Sequence, residues 1–138
     1  MRLVLDTNVV ASALLWDGPP RRLLRAGREE TIRLFTSSPL LAELTDILAR
    51  PKFAKKISAS LLSIDEIVGL YAVLAGVVRP ANVPRLASDP DDDVVIGTAL
   101  AAKAEYLVTG DRALRSLGEY EGGRIVSVNE VLLLPVFN

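Results

Sequence analysis

Short apolar runs alternate with longer segments of helical pattern along this chain of 138 residues. Such alternation predicts an α/β architecture, in which a parallel sheet carries helices on both faces. A chain of this length buries about 68% of its unfolded surface, so residues 1–138 are expected to form one domain. The predicted strands are Leu3–Leu5, Ile32–Thr36, Val77-Val78, Tyr106–Val108 and Ile125-Val126.

Capping residues and helix breakers mark the helices between these runs. Ser38 is expected to cap a helix that has Pro39 at its first position and ends near Arg50. Two capping boxes, in which Glu follows Ser by three residues, begin at Ser63 and Ser127 and open two further helices. Other helices are predicted over Val9–Trp16, Pro20–Ala26 and Asp93–Lys103.

The composition of the chain excludes several kinds of catalytic and metal-binding group. It contains neither His nor Cys, and its formal net charge is −1. The lack of Cys excludes disulfides, thiolate nucleophiles and the usual structural zinc sites, which fits a cytoplasmic protein. The apolar run before Asp6 is too short for a signal peptide, and no run approaches the ~20 residues of a membrane span. Catalysis must therefore rely on carboxylates, hydroxyls or a metal ion that they hold.

Acidic residues follow the ends of two predicted strands. Asp6 opens the tripeptide Asp6-Thr7-Asn8 directly after the first strand, and Asp111 ends Thr109-Gly110-Asp111 after the strand at Tyr106–Val108. The carboxyl ends of parallel strands lie at one edge of the sheet, where ligands bind. Helix capping and turn formation explain the same residues, so both interpretations stay open at this point.

Two further acidic positions lie in predicted helices. Glu43 interrupts an apolar stripe, and an inward-facing acid costs free energy unless it is paired, protonated or bound to a metal. In the run Asp89–Asp93, two like charges 4 Å apart would cost about 4 kcal/mol at an effective dielectric of 20. Asp93 shares a helix face with Ile96, which favours it over Asp92 as an inward-facing acid. A boundary Glu that reaches water and a solvated helix start are the alternatives.

The acids are predicted to converge in one pocket at the sheet edge; its members are Asp6, Glu43, Asp93 and Asp111, with Asp92 as the alternative to Asp93. A site with only oxygen ligands suits Mg²⁺ or Mn²⁺. Such a site can clamp the attacking and leaving oxygens of a phosphoryl transfer. Because the chain lacks His, it has no obvious general base for attack by an RNA 2′-hydroxyl, and metal-activated water is the expected nucleophile.

Four segments of the chain occur in a distinctive order. They are the first strand with Asp6-Thr7-Asn8, the helix Ser38–Arg50 with Leu-Ala-Glu43-Leu, the run Asp89-Pro-Asp-Asp-Asp-Val-Val-Ile-Gly-Thr-Ala-Leu-Ala, and Tyr106-Leu-Val-Thr-Gly-Asp111. In this order they resemble the PIN-domain family, close to the VapC-like toxins of type II toxin–antitoxin modules. The resemblance implies a three-layer α/β/α domain with a short-stranded parallel sheet, and a ribonuclease that depends on Mg²⁺ or Mn²⁺.

The resemblance also implies roles for individual residues and for partners. Asp6, Glu43 and Asp93 match the three core acids, and Asp111 matches a fourth, more variable one. Related chains sometimes carry Asn where Asp93 stands, which keeps Asp92 open as the ligand. Polar supporting residues are implied at Thr7, Asn8 and Thr109. The family further implies homodimers or higher oligomers, and an antitoxin that covers the cleft.

Basic residues are concentrated in one part of the chain. Nine of the 16 Lys and Arg lie between Arg21 and Lys56. An acidic pocket repels phosphate, so a nuclease needs flanking cations to position the RNA backbone. We predict such contacts for Arg21, Arg25, Lys52, Lys55 and Lys56. The only Trp, Trp16, is compatible with the core, a dimer interface or base stacking.

Two other functions remain compatible with the pattern. A phosphotransfer or phosphatase-type domain would use Asp6 as the nucleophile, although one such class needs a second Asp where Asn8 stands. A non-catalytic PIN module would bind RNA or an antitoxin without turnover.

Overall fold

A computed structural model describes residues 1–83 and 90–138 as an α/β domain. Its strands are β1 (Arg2–Leu5), β2 (Arg33–Thr36), β3 (Gly76–Val77), β4 (Tyr106–Val108), β5 (Glu119–Tyr120) and β6 (Gly123–Val126). Its helices are α1 (Thr7–Leu15), α2 (Pro19–Arg28), α3 (Ser38–Leu48), α4 (Ala54–Ser60), α5 (Ile64–Leu74), α6 (Pro90–Ala102), α7 (Arg112–Arg115) and α8 (Val128–Leu132). The predicted α/β architecture is therefore confirmed.

The six strands form one sheet in the order β3-β2-β1-β4-β6-β5. All neighbouring pairs are parallel except β5 and β6, which pair antiparallel. The sequence predicted a parallel sheet, and β5 corrects that prediction. Only two residues separate β5 from β6, and a parallel pair needs a crossover of a dozen residues or more. Gly122 in this turn has a φ of 87°, which glycine adopts without steric cost.

The sheet separates two apolar cores, which makes the domain three-layered. Successive side chains of a strand point to opposite faces, and β1 follows this rule. Leu3 and Leu5 pack in the core with helices α1, α2, α3 and α5, whereas Val4 packs with α6 on the other face. All three residues are at most 1% exposed, so β1 lies at the centre of the domain.

The order of the strands places a crevice beside β1. From β1 the chain proceeds to β2 and β3 on one side, and it then returns to place β4 on the other side of β1. Ligands of open α/β sheets bind at such a reversal, outside the carboxyl ends of the strands. Leu5 lies opposite Val108 in the register, so the residues after β1 and β4 emerge side by side.

The start of α3 differs from the prediction, because Ser37 and not Ser38 is its N-cap. The Ser37 side chain makes no capping bond; its hydroxyl lies 2.9 Å from the hydroxyl of Thr98, and neither residue is exposed. This buried bond joins the start of α3 to α6. The capping boxes at Ser63 and Ser127 are confirmed, each with both reciprocal hydrogen bonds.

Helix α4 was not predicted from the sequence. It follows a 3₁₀ turn at Pro51–Phe53, and none of its own residues is buried, so it lacks the apolar stripe that reveals a helix. Within residues 1–83 and 90–138, no single helix is long and apolar enough to cross a membrane. The segments Pro51–Ser60 and Ile64–Leu74 pass that test only as a pair bent by 78°.

Candidate active site

Asp6 lies at the carboxyl end of β1 and begins α1. Its backbone amide donates a 2.8 Å hydrogen bond to the carbonyl of Val108, which extends the β1–β4 pairing by one residue. Its carboxylate oxygen Oδ1 accepts a 2.8 Å bond from the amide of Thr7. Asp6 is only 7% exposed. The capping role that the sequence left open is real, and it places the carboxylate in the crevice.

Thr109 connects the two strand ends. Its hydroxyl donates a 2.6 Å hydrogen bond to Oδ2 of Asp6, and it accepts a 3.0 Å bond from the amide of Asp111. The side chain is fully buried, and its own amide donates to the carbonyl of Val126 in β6. Both oxygens of Asp6 therefore have fixed donors, and Thr109 sets the orientation of the carboxylate.

Asp111 is the exposed acid of the crevice. Its Oδ1 accepts a 3.0 Å bond from the amide of Leu114, so it caps the short helix α7. A cavity of about 350 Å³ lies between it and Asp6 and is lined also by Asn8, Val9, Ser12, Pro20 and Gly110. Ser12 was not predicted from the sequence, although its spacing of four residues from Asn8 places both on one helix face.

Glu43 approaches the crevice from α3 and is half-buried. Its charge and that of Asp6 repel each other across the crevice. The Thr7 hydroxyl is close enough to lower the pKa of Glu43, yet it forms no hydrogen bond of normal geometry and is buried without a partner. A buried hydroxyl without a partner is uncommon in folded proteins, and here it lies near the carboxylate of Glu43.

The surroundings of Asp6 and Glu43 disfavour the charged forms of both side chains. Burial raises the pKa of Asp6 above its ordinary 3.8 and Asp111 adds to the rise, while the bonds from Thr109 and Thr7 oppose it. Burial likewise raises the pKa of Glu43, followed by the repulsion of Asp6. A smaller contribution to Glu43 comes from Asp91. The crevice therefore disfavours the charged forms of both acids, chiefly because burial removes their hydration and then because the carboxylates repel one another.

The acids of α6 lie at its first turn. Asp91 is exposed and Asp92 and Asp93 are half-buried, while Asp89 lies outside the described residues. Asp91 repels Glu43, which places the start of α6 on the side of the crevice where α3 lies. In the part of the chain that the structure describes, no three acidic side chains are close enough to hold one metal ion. The choice between Asp92 and Asp93 therefore stays a prediction.

The pocket fits a divalent cation by donor type and by charge. The polar side chains that line the cavity between Asp6 and Asp111 include Asn8 and Ser12, and all four offer oxygen, which Mg²⁺ and Mn²⁺ prefer. The raised pKa values of the two acids show that their charged forms are poorly stabilised in the metal-free crevice, and a bound cation would stabilise them. Asp6 and Glu43 are the residues that would hold such an ion, with Asp111 and an acid of α6 as further candidates.

The predicted RNA-binding cations divide into two groups. Arg21 is half-buried and donates from Nε and Nη2 to the carbonyls of Ala13 and Leu14, so it ties α2 to the end of α1. Arg25 and the three lysines are exposed. The ammonium of Lys52 lies 5.0 Å from the Phe53 ring centroid, and that of Lys56 lies 5.6 Å from the Trp16 ring centroid.

In metal-free protein, Glu43→Gln should raise the free energy of unfolding at neutral pH. A folded-state pKa above the unfolded value means that the native state binds the proton more tightly, so stability falls as pH rises from about 4.5 through the raised pKa. The Gln variant lacks this loss, and the advantage should vanish below pH 4.5. Denaturant unfolding in chelator across this pH range measures it, with Asp46→Asn on the exposed side of α3 as the control. An equal advantage at all pH values would contradict the assignment.

Comparison with known protein families finds a match over most of the chain. A family model described as a PIN domain matches residues 2–113, which include Asp6, Glu43, Thr109 and Asp111. Proteins with this domain are generally nucleases, and they typically use divalent metals. Comparison with curated proteins and with solved structures found no match.

Proposed function

This chain belongs to the PIN-domain family, and we propose that it is an endoribonuclease that depends on Mg²⁺ or Mn²⁺. The observation that carries the proposal is the buried Asp6 at the reversal of strand order, fixed by Thr109 and facing Asp111 and Glu43. A sheet edge with one carboxylate after each of two neighbouring strands and a third on α3 suits cation-assisted phosphoryl transfer better than it suits phosphate binding by the protein alone.

The chain's own residues supply orientation and charge. Thr109 and the Thr7 amide hold both oxygens of Asp6 in one rotamer, which leaves the remaining lone pairs directed away from those donors. Glu43 and Asp111 add negative charge on either side, and an acid of α6 is proposed to complete the set. A bound Mg²⁺ or Mn²⁺ would supply a water of lowered pKa and would stabilise charge on the phosphate.

The proposed reaction is hydrolysis of a phosphodiester bond. The oxygen of water bonds to phosphorus, the bond from phosphorus to the 3′ oxygen breaks, and that oxygen leaves with a proton. The products carry a 5′-phosphate and a 3′-hydroxyl. The chain has no His to remove a proton from the RNA 2′-hydroxyl, which disfavours the route through a cyclic phosphate.

End-group analysis of the products tests this chemistry. Purified protein is incubated with single-stranded RNA and Mn²⁺, and the fragments are examined by mass spectrometry. We expect 5′-phosphate and 3′-hydroxyl ends. Fragments with 2′,3′-cyclic phosphate would contradict hydrolysis by water, and an intact RNA with a stably bound protein would favour a binding module.

We further propose that the enzyme is the toxin of a cytoplasmic toxin–antitoxin pair and acts as a homodimer. The support is the order and content of the four segments that resemble VapC-like toxins. The cognate antitoxin would then cover the acidic crevice. The ribonuclease proposal does not depend on this role.

A further inference from the structure

A second cavity continues from the acidic crevice along α1. It has a volume of about 430 Å³ and is lined by Asn8, Ser12, Trp16, Lys52 and Phe53. Asn8 and Ser12 line the cavity of Asp6 and Asp111 as well, so the two spaces share a wall. We infer that this second cavity is a subsite for single-stranded RNA, in which one base stacks on Trp16 and the adjoining phosphates lie near Lys52 and Lys56.

The shared wall, Asn8 and Ser12, lies on α1, and Trp16 is the C-cap residue of that helix. Asn8, Ser12 and Trp16 are spaced four residues apart, which places them along one face of the helix. At 1.5 Å per residue, the distance from Asn8 to Trp16 is about 12 Å along the helix axis. That span corresponds to at most about four nucleotides of stacked strand. A strand cut beside Asp6 therefore reaches Trp16 with its next few nucleotides.

The cavity contains two aromatic residues in contact, of which Phe53 is buried and Trp16 is partly exposed. Phe53 is 4% exposed, and its ring meets that of Trp16 at 5.5 Å between centroids in an edge-to-face arrangement. Trp16 keeps 38% of its surface exposed, at the position where α1 ends and its amide donates to the carbonyl of Ser12. Trp16 is therefore not part of the core, which leaves its exposed surface available for contact.

The cations favour a nucleic acid as the occupant. Lys52 and Lys56 are exposed, and their ammonium groups lie over the two rings. Aromatic rings bordered by cations are the common arrangement in single-strand binding, where rings hold bases and cations hold phosphates. The neighbouring crevice is acidic and repels phosphate, so these lysines are where the strand gains electrostatic attraction. The subsite rests on the proposed ribonuclease function, since it deepens that function by assigning where the substrate is held.

Trp16 is the only Trp in the chain, so its fluorescence reports on this cavity alone. In chelator, which prevents cleavage, we expect a short single-stranded RNA to quench the emission of the wild-type protein. Anisotropy of labelled RNA should show that Trp16→Ala weakens binding about 5- to 150-fold, and that Trp16→Phe weakens it less. The same oligonucleotide with abasic sites keeps its phosphates and should quench little.

The lysines are tested by salt dependence. Lys52→Gln with Lys56→Gln should reduce the slope of log affinity against log salt by about 1.4, because each phosphate contact on a single strand contributes about 0.7. Lys103→Gln removes one positive charge just before the amino end of β4, on the opposite edge of the sheet, and should leave the slope unchanged, whereas Lys52→Gln or Lys56→Gln alone should each lower it by about 0.7.

Unchanged emission on RNA binding, together with unchanged affinity in Trp16→Ala, would overturn the subsite while the ribonuclease proposal stands. If RNA quenches the Trp16 emission of the wild-type protein but the protein does not cleave RNA in Mn²⁺, the ribonuclease proposal is wrong and the RNA-binding subsite remains. A change of oligomeric state in Trp16→Phe, seen by light scattering, would show that a second copy occupies the cavity and would overturn the RNA assignment.

Discussion

Replacing Asp6 by Asn is expected to lower the rate of RNA cleavage more than about 100-fold. Removing a residue that only hydrogen-bonds to a metal ligand typically lowers activity 10- to 100-fold. Asp6 is proposed to be a ligand itself, so its replacement should lower the rate more. The variant keeps the size of the side chain but loses one negative charge in a buried position. Initial rates of cleavage in Mn²⁺ measure the loss.

The control for this variant is Asp46→Asn, the same change at an exposed position of α3. It should cleave at the wild-type rate. If Asp6→Asn is folded by circular dichroism and keeps more than about a tenth of the wild-type rate, Asp6 is not a ligand of the catalytic ion.

Thr109→Val should reduce cleavage by an intermediate amount, about 10- to 100-fold. The substitution removes the hydroxyl that donates to Asp6 and accepts from the Asp111 amide. Thr109 is a positioning residue, because it acts through Asp6. Its loss should therefore raise the Mn²⁺ concentration needed for half-maximal rate, which a merely destabilised protein would not show. Thr45→Val, whose hydroxyl bonds only within α3, is the matched control.

The second large effect is stabilisation by metal. At 100 times its dissociation constant, a ligand that binds only the native state adds about 2.7 kcal/mol. For a domain of this size, that corresponds to a rise of about 8 °C in Tm. We expect Mn²⁺ to produce this rise over the value in chelator, measured by thermal unfolding at neutral pH.

The acid variants should lose this stabilisation even though one of them is more stable without metal. Glu43→Gln should be more stable than the wild type in chelator, because it removes a charge that burial and then the repulsion of Asp6 disfavour, and it should be less stable in saturating Mn²⁺. Such a crossing identifies Glu43 as a ligand and not as a structural residue. Asp46→Asn should respond to Mn²⁺ as the wild type does. An equal response in Asp6→Asn would show that the ion binds elsewhere.

The same melts distinguish the acids of α6. The sequence favours Asp93 over Asp92 from the helix face it shares with Ile96, and both are half-buried in the structure. If only one of the variants Asp92→Asn and Asp93→Asn loses the rise in Tm with Mn²⁺, the residue replaced in that variant is the metal ligand.

The helices and strands were predictable where a residue's close neighbours encode them. The capping boxes at Ser63 and Ser127 formed as predicted, because both partners lie within one turn of helix. The predictions were wrong where contacts between residues far apart in the sequence determine the local structure. The hydroxyl of Ser37 bonds to Thr98, 61 residues away, and α3 begins one residue earlier than predicted. Helix α4 was missed because an exposed helix has no apolar period.

The acids of the site show the same division. Their positions after β1 and β4 and inside α3 could be predicted from the sequence, because strand ends and an interrupted apolar stripe are local patterns. The contacts that these acids make with residues of other elements could not be predicted. The hydrogen bond from Thr109 to Asp6 joins residues 103 apart, and the Thr7 hydroxyl comes near Glu43 only because α1 and α3 pack together. Such contacts depend on which strands become neighbours, and that is decided by burial of the whole sheet and not by any one segment.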